Sequence, residues 1–177
     1  MTGAYPEPVP VRRLELVAAA RDGLDTLRLD RLVLDLGDVQ PKVVAEATRQ
    51  DGRYAVRATA SLEQMDIARL NRYWPPARAA KTAKWIADHV SAGTARDVLF
   101  DLALDLDPDG EPRVENLVMS GSMAFDGLVL DILAPKPPAE GIAGTATFED
   151  GTLAFDITEG ALGSFEVETA DVAITGL

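Results

Sequence analysis

The chain has no cysteine and only one histidine, His89. Without cysteine it can form neither a disulfide nor a thiolate metal site, although this absence suits a reducing as well as an oxidising compartment. His89 stands near the end of a predicted helix, where we expect it to interact with the helix terminus rather than to act as a general base. The sequence also lacks a nucleophile elbow, a glycine-rich phosphate loop and a histidine pair at metal spacing. We therefore expect a protein that is not an enzyme and has no cofactor and no metal site.

Long hydrophobic runs are missing as well. No stretch of 18 consecutive apolar residues occurs, and residues 1–10 have neither the basic start nor the apolar centre of a signal peptide. We expect neither a membrane-spanning helix nor a signal peptide in these 177 residues. Because 47% of the residues are hydrophobic, the chain can still build the core of one globular domain.

Basic residues are scarce in the second half of the chain. Residues 1–93 contain 14 Lys and Arg against 12 Asp and Glu, whereas residues 94–177 contain 3 against 17. Nucleic-acid binding depends on neutralising phosphates, so this balance excludes nucleic acid as a partner. The exception is the segment 69–84, which holds five basic residues and no acidic one. That segment is either a solvated helix face or a contact for lipid headgroups.

Short alternating segments with polar turns dominate the sequence and predict an antiparallel meander. Before the helix, strands are predicted at 13–17, 26–36, 43–48 and 54–62, with a hairpin turn at 50–53. Within 26–36, strict alternation places Leu27 and Leu29 on one face and Leu32 and Leu34 on the other. After the helix, strands are predicted around 98–107, 119–125, 128–132, 142–148, 153–157, 165–167 and 172–174. The apolar residues that alternate along the later strands include Phe100, Leu102, Leu104, Met123, Phe125, Leu128, Leu130, Phe148, Phe155 and Ile157.

One principal helix is predicted from Ala77 to Ser91. Pro75 and Pro76 suit its first turn, the alanines favour helix, and Gly93 is expected to end it in a left-handed conformation. Its apolar stripe predicts packing on a sheet, with Trp74, Trp85 and Ile86 as the packing residues. A further helical turn is expected within 65–71.

A helix of about 15 residues is roughly 22 Å long and covers only part of a sheet of about ten strands. The sheet therefore either closes on itself as a sandwich or barrel, or leaves an apolar trough. Glycines within strands, at 121, 144 and 163, fit a strongly bent sheet and equally fit simple bulges.

The segment Asp105-Leu-Asp-Pro-Asp-Gly110 matches the opening of a calcium loop. The twelfth position of that loop is Asn116 instead of a bidentate glutamate, and the flanks predict strands rather than helices. An acidic hairpin turn is the simpler interpretation, with weak calcium binding as the alternative.

The order of these parts resembles a known family. A strand is followed by Arg72-Tyr-Trp-Pro-Pro76, an alanine-rich helix containing Lys84-Trp-Ile86, and Ser91-Ala-Gly-Thr94 at the entry to new strands. The tail adds Phe125-Asp-Gly-Leu128, Gly141-Ile-Ala-Gly-Thr-Ala146 and Val172-Ala-Ile-Thr-Gly-Leu177. Over roughly residues 50–177 the chain resembles the AsmA-like proteins of Gram-negative envelopes, in particular the YhdP-type members.

This resemblance implies a mainly β fold, a curved antiparallel meander forming a β-groove with one principal helix packed on it. It implies a segment of a periplasmic, inner-membrane-anchored parent that carries phospholipid between the inner and outer membranes and supports outer-membrane integrity. The implied partners are phospholipid, both membranes and other segments of the parent. The alternative function is a ligand-free periplasmic β-sandwich for adhesion or scaffolding.

The expected organisation is a loose segment 1–10, a first strand group 11–71, the Trp-Pro-Pro corner and helix 72–93, and a second strand group 94–177, all within one continuous domain. The alternating apolar residues of the later strands, Phe100 to Ile157 as named above, are the candidate groove residues.

Overall fold

The alternating segments form one antiparallel sheet in the computed structural model, which describes residues 10–73, 80–107, 112–131, 136–149 and 151–176. The strand order follows the chain from β1 to β8 and then β10, with β9 also paired to β8. The two ends of this path do not meet, so the sheet is open. A mainly β antiparallel meander with one principal helix is therefore confirmed. The strands are β1 (Arg13–Arg21), β2 (Thr26–Asp35), β3 (Lys42–Gln50), β4 (Arg53–Asp66), β5 (Val90–Leu106), β6 (Pro112–Leu130), β7 (Ala139–Glu149), β8 (Thr152–Leu162), β9 (Phe165–Val167) and β10 (Ala170–Thr175).

Turn chemistry explains the tight connections. Asp51 and Gly52 join β3 to β4 and have positive φ angles of 50° and 80°. Positive φ at both central residues is typical of a type I′ turn, which connects two strands in a hairpin because its twist matches that of the strands. The predicted hairpin at 50–53 is thus confirmed.

Two helices interrupt the strands, α1 (Leu70–Tyr73) and α2 (Ala80–His89). A 3-10 turn at Ile67–Arg69 leads into α1, and the Asp66 carboxylate caps that turn by accepting from the Ala68 N–H at 3.0 Å. The expected helical turn within 65–71 is present, although it begins at Ile67. Residues 77–79 of the principal helix, together with Trp74, Pro75 and Pro76, lie outside the described residues.

The predicted C-terminal end of the principal helix is wrong. α2 ends at His89 and β5 begins at Val90, so residues 90 and 91 are extended. The backbone N–H of Asp131 donates to the carbonyl of His89 at 2.8 Å, which satisfies one of the carbonyls that a helix end leaves free. The chain can therefore pass from helix to strand without an intervening left-handed stop.

Gly93 has a different role from the one predicted. It lies inside β5 with φ of +129°, and a Cβ at this position would collide with the side chain and Cα of Leu128. Glycine is required here because two strands approach closely, not because a helix ends. Gly144 resembles it, since it has φ of +156°, adjoins a register shift between β7 and β8, and leaves no room for a Cβ beside the Asp156 carbonyl.

The contacts divide the chain into two compact units. Unit 1 is built mainly from Gln64–Val98 and Ser122–Leu177, and unit 2 from Val11–Glu63 and Leu99–Gly121. These boundaries differ from the expected groups 11–71, 72–93 and 94–177. The difference arises because β5 and β6, with 17 and 19 residues, each contribute to both units.

Nearly all of the buried apolar side chains in the described part of the chain belong to unit 1. Phe125 and Leu128 are only 2% exposed, and the Phe125 ring meets the Phe155 ring edge-on at 5.9 Å between centroids. In unit 2 the one comparably buried apolar residue among those described is Val39. Unit 1 therefore has a conventional core and unit 2 does not. The other buried apolar residues of unit 1 are Met65, Ile67, Ala95, Val98, Leu130, Ile142, Ala146, Leu153 and Ile157.

Candidate functional site: the apolar face of unit 2

Strand register in unit 2 collects apolar side chains on one side of the sheet. Residues directly opposite each other in antiparallel strands point to the same face. Leu16 is paired with Leu32, and Leu32 is paired in turn with Val43. The register also places Arg49 on this side, at the end of β3 opposite Tyr54. The other paired positions are apolar, and we call them the apolar face of unit 2. On β1 to β4 it comprises Leu14, Leu16, Ala18, Ala20, Leu27, Leu29, Leu32, Leu34, Val43, Ala45, Ala47, Val56, Ala58 and Ala60.

A bulge in β2 creates this face and overturns the predicted split of the leucines. Ala18 pairs with Leu29 while the adjacent Val17 pairs with Arg31, so Asp30 has no partner on β1. One extra residue shifts the alternation by one position. Leu27 and Leu29 consequently lie on the same side as Leu32 and Leu34, instead of on the opposite side.

The apolar face continues onto β5 and β6. The Thr59 hydroxyl donates to the Asp101 carboxylate at 2.6 Å, so these two side chains share the opposite, polar side. Alternation then places Phe100, Leu102 and Leu104 on the apolar side. A Cβ on Gly121 would lie 2.9 Å from the Phe100 ring, which shows that the ring lies over this glycine of β6.

Much of this face is open to solvent in the described structure. Leu14 and Leu16 are each 57% exposed, and Leu27 and Phe100 are each 37% exposed. A shallow depression of about 420 Å³ is lined on this side by Ala18, Ala20, Leu29, Ala45, Ala47 and Val56, among others. Contiguous exposed apolar surface of this kind marks a binding site more often than isolated exposed leucines do.

The other side of unit 2 carries many ion pairs, together with exposed valines such as Val17 at 53% and Val44 at 49%. Glu15 contacts Arg13 at 2.8 Å and Arg31 at 3.1 Å, and Arg28 contacts Asp30 at 2.7 Å. These exposed pairs keep that side hydrated and add little stability. A second depression, of about 580 Å³, is lined by polar residues such as Arg28, Thr59 and Asp101 and by the exposed valines Val44 and Val118.

One carboxyl group on unit 2 has a shifted pKa. The hydrogen bond and the positive charge of Lys42 hold the pKa of Glu63 below its ordinary value. Glu63 is fully exposed, so this pair does not mark a site.

The structure separates the candidate groove residues into two groups. Phe100, Leu102 and Leu104 lie on the apolar face of unit 2, where they are exposed or half-buried. The remaining candidates belong to unit 1. Of these, Phe125, Leu128, Leu130 and Ile157 are buried, while Met123, Phe148 and Phe155 are half-buried.

Sequence reasoning missed the leucines of β1 and β2 and the alanines of β3 and β4 as members of this face. The signal available was the Leu-x-Leu spacing at 14–16, 27–29 and 32–34. Because Asp30 shifts the alternation by one position, the spacing alone did not show that these leucines share one face. The alanines are too small to stand out in an apolar pattern, although they form the middle of the face.

Several side chains in the C-terminal half of the principal helix are partly buried. Trp85 and Ile86 are half-buried, and the Trp85 ring stacks on His89 at 4.9 Å between ring centroids. Nδ1 of His89 lies 2.8 Å from the Trp85 carbonyl oxygen and donates to it, so the imidazole satisfies a carbonyl of the last helical turn. The expected interaction of His89 with the helix terminus is confirmed. Trp74 lies outside the described residues.

The acidic turn after β5 is only partly described. Asp107 lies 3.5 Å from the Arg53 guanidinium, which engages this carboxylate across the sheet, and residues 108–111 lie outside the described ranges. Within the described ranges, no three acidic or histidine side chains converge closely enough to hold a metal ion.

None of the described helices has the length and apolar character needed to cross a bilayer. Comparisons with protein-family models, with curated proteins and with solved structures find no match to this chain.

Proposed function

We propose that this chain is a non-enzymatic segment of an AsmA-like lipid-transfer protein, and that phospholipid acyl chains lie on the apolar face of unit 2. The observation that carries the proposal is the set of exposed and half-buried leucine, alanine and valine side chains that the β2 bulge brings to one side, bordered there by Arg49. The resemblance in the order of the sequence motifs supports the same assignment.

Acyl chains suit such a face because they need no polar partner. Each 100 Å² of apolar surface removed from water contributes about 2.5 kcal/mol, so a chain lying along several strands binds through area alone. A charged side chain introduced into the face would oppose this binding strongly, because it must be desolvated without a partner. The alanines of β3 and β4 leave room between the leucines of β2 and the larger side chains of β5.

In this proposal the segment belongs to a periplasmic, inner-membrane-anchored parent and works with other segments of that parent. Phospholipid moves along the groove between the inner and outer membranes, which supports outer-membrane integrity. The single open sheet, and the absence of an α-helix from the described part of unit 2, favour this role over a ligand-free sandwich module.

The test compares two substitutions of exposed residues on opposite sides of the same sheet. Leu27→Asp lies on the apolar face, and Val44→Asp lies on the polar side, where Val44 is 49% exposed. Lipid is extracted from each purified chain and quantified by mass spectrometry. Wild type and Val44→Asp should both carry phospholipid, and Leu27→Asp should lose about tenfold, corresponding to about 1.4 kcal/mol of binding free energy.

A second test measures function in the full-length parent protein. Leu102→Asp should mimic deletion in an envelope-permeability assay, because a carboxylate on the apolar face blocks acyl chains. Absence of phospholipid from the wild-type chain would favour the scaffold alternative. Normal lipid passage in a folded Leu102→Asp parent would reject the transport role.

A further inference from the structure

The depression of about 580 Å³ on the polar side of unit 2 is lined by two charged side chains without partners. Glu46 of β3 stands directly opposite Arg28 of β2 on one side and Arg57 of β4 on the other. Arg28 contacts Asp30 along its own strand at 2.7 Å. The side chains of Glu46 and Arg57 make no hydrogen bond and no ion pair, with each other or with any other residue that the structure describes. One carboxylate and one guanidinium are therefore available to a ligand in this depression.

Apolar side chains extend this row beyond Arg57. The Thr59 hydroxyl donates to the Asp101 carboxylate, and Arg57 and Ala103 each stand two residues from this pair on their strands. Because the two steps run in opposite directions along antiparallel strands, Arg57 lies opposite Ala103. The next strand, β6, contributes Val118, which is 59% exposed and lines the same depression.

Across neighbouring strands the row reads carboxylate, guanidinium, small apolar, larger apolar, at about 4.8 Å from one strand to the next. We propose that the depression binds the headgroup of a phosphoethanolamine lipid. In this headgroup the anionic phosphate lies between a terminal ammonium and the apolar tail, so its groups follow the same order as the side chains. The ammonium donates to Glu46, the phosphate accepts from Arg57, and the first methylene groups lie over Ala103 and Val118.

The chemistry of each contact supports this ligand over simpler ones. A guanidinium binds a phosphate through two parallel N–H donors, and an ammonium forms charge-assisted hydrogen bonds with a carboxylate. Inorganic phosphate fits less well, because it would bring further negative charge close to Glu46. An α-amino acid also fits less well, because its two charged groups are attached to one carbon, whereas Glu46 and Arg57 stand on neighbouring strands.

The size and place of the depression agree with a single headgroup. Its volume of about 580 Å³ lies within the range of small-molecule sites and accommodates the headgroup with the start of its tail. The depression lies on the opposite side of the sheet from the apolar face of unit 2. The inference therefore does not depend on the acyl-chain binding proposed above.

Soluble headgroups test this site by itself, because they have no acyl chain to bind the apolar face. Glycerophosphoethanolamine is titrated into the nitrogen-15-labelled chain, and the amide shifts of Glu46 and Arg57 are followed by NMR. Glycerophosphocholine should bind about fivefold more weakly, because its quaternary ammonium has no N–H to donate to the carboxylate. Equal affinity for the two headgroups, or no shift at these two residues, would overturn the proposal.

Two charge-removing variants separate the two contacts. Arg57→Gln should weaken both headgroups about fivefold, since both contain the phosphate. Glu46→Gln should remove the preference for glycerophosphoethanolamine over glycerophosphocholine, which a general effect of surface charge would not do. Arg31→Gln changes an exposed arginine of β2 outside the depression and should leave both affinities unchanged. A preference that persists in Glu46→Gln, or an equal loss in Arg31→Gln and Arg57→Gln, would contradict the site.

A lipid arm distinguishes a membrane lipid from a free headgroup. Lysophosphatidylethanolamine, below its critical micelle concentration, should bind about tenfold more tightly than glycerophosphoethanolamine and should also shift Ala103 and Val118, because its first methylene groups cover them. The measurement uses the Leu27→Asp chain, in which the apolar face is disabled, so that its outcome is independent of acyl-chain binding there. Equal affinity for the lipid and the soluble headgroup would overturn the assignment of the ligand as a lipid.

Discussion

At the scale of single residues, the same alternating pattern leads to opposite environments. Phe100 and Phe125 were both predicted as groove residues from their place in alternating strands. Phe100 is 37% exposed over Gly121, whereas Phe125 is 2% exposed and contacts Phe155. The expectation that Phe125 forms part of an exposed wall is therefore wrong. Its role is to fill the core of unit 1.

This difference predicts unequal effects of the same substitution. Phe125→Asp buries a carboxylate without a partner and removes a large core side chain, so it should cost at least about 3 kcal/mol of the free energy of unfolding. Phe100→Asp leaves its carboxylate within reach of water and should cost about 1 kcal/mol or less. Urea unfolding followed by circular dichroism measures both values. Phe125→Leu, which keeps most of the apolar volume, is the control, and equal losses for the two Asp variants would contradict the assignment.

At the scale of the element, β2 shows how one residue sets the face of a whole strand. Asp30 is the additional residue, and its exposed carboxylate contacts Arg28. Without Asp30 the strand reads Leu27, Arg28, Leu29, Arg31, Leu32, Val33, Leu34, which alternates without interruption. The bulge therefore accommodates an insertion into an otherwise regular amphipathic strand.

The bulge leads to an unusual expectation for a deletion within a strand. Deleting Asp30 should preserve the common leucine face and change the thermal midpoint by only a few degrees, because only an exposed ion pair worth about 1 kcal/mol or less is lost. Deleting Val33, the matched control, should instead turn Leu34 to the polar side or shift the pairing of the strand, and should destabilise the chain strongly. Circular dichroism melting compares the two variants. A larger loss for the Asp30 deletion than for the Val33 deletion would contradict the bulge.

At the scale of the whole molecule, the two units differ in how much apolar surface they bury. Unit 1 contains the closely packed side chains around Phe125 and Leu128, and unit 2 contributes Val39 alone to the buried apolar residues among those described. Burial of apolar area is the main stabilising contribution to folding. We therefore expect the backbone hydrogen bonds of unit 2 to open at a lower free-energy cost than those of unit 1.

Hydrogen exchange should reveal this difference. Amides in β7 and β8 of unit 1 should exchange more slowly than those in β1 to β3 of unit 2, by about tenfold or more, since local opening costs less where packing is sparse. Lysophospholipid should slow exchange in unit 2 and leave unit 1 unchanged, because a ligand that binds only the folded form stabilises it. Mass spectrometry of peptic fragments resolves the two units. Uniform protection without lipid would contradict the unequal packing.

The sequence by itself determined the class of fold, because alternation of apolar and polar residues and local turn chemistry are properties of neighbouring positions. The strands, the Asp51-Gly52 hairpin and the principal helix could be predicted on these grounds. Tertiary structure decided which strand faces coincide. The β2 bulge depends on how β2 pairs with β1 and β3, the need for glycine at 93 depends on Leu128, and the burial of Phe125 but not Phe100 depends on what covers each face. These are contacts between distant positions, so they cannot be inferred from the local pattern that predicts a strand.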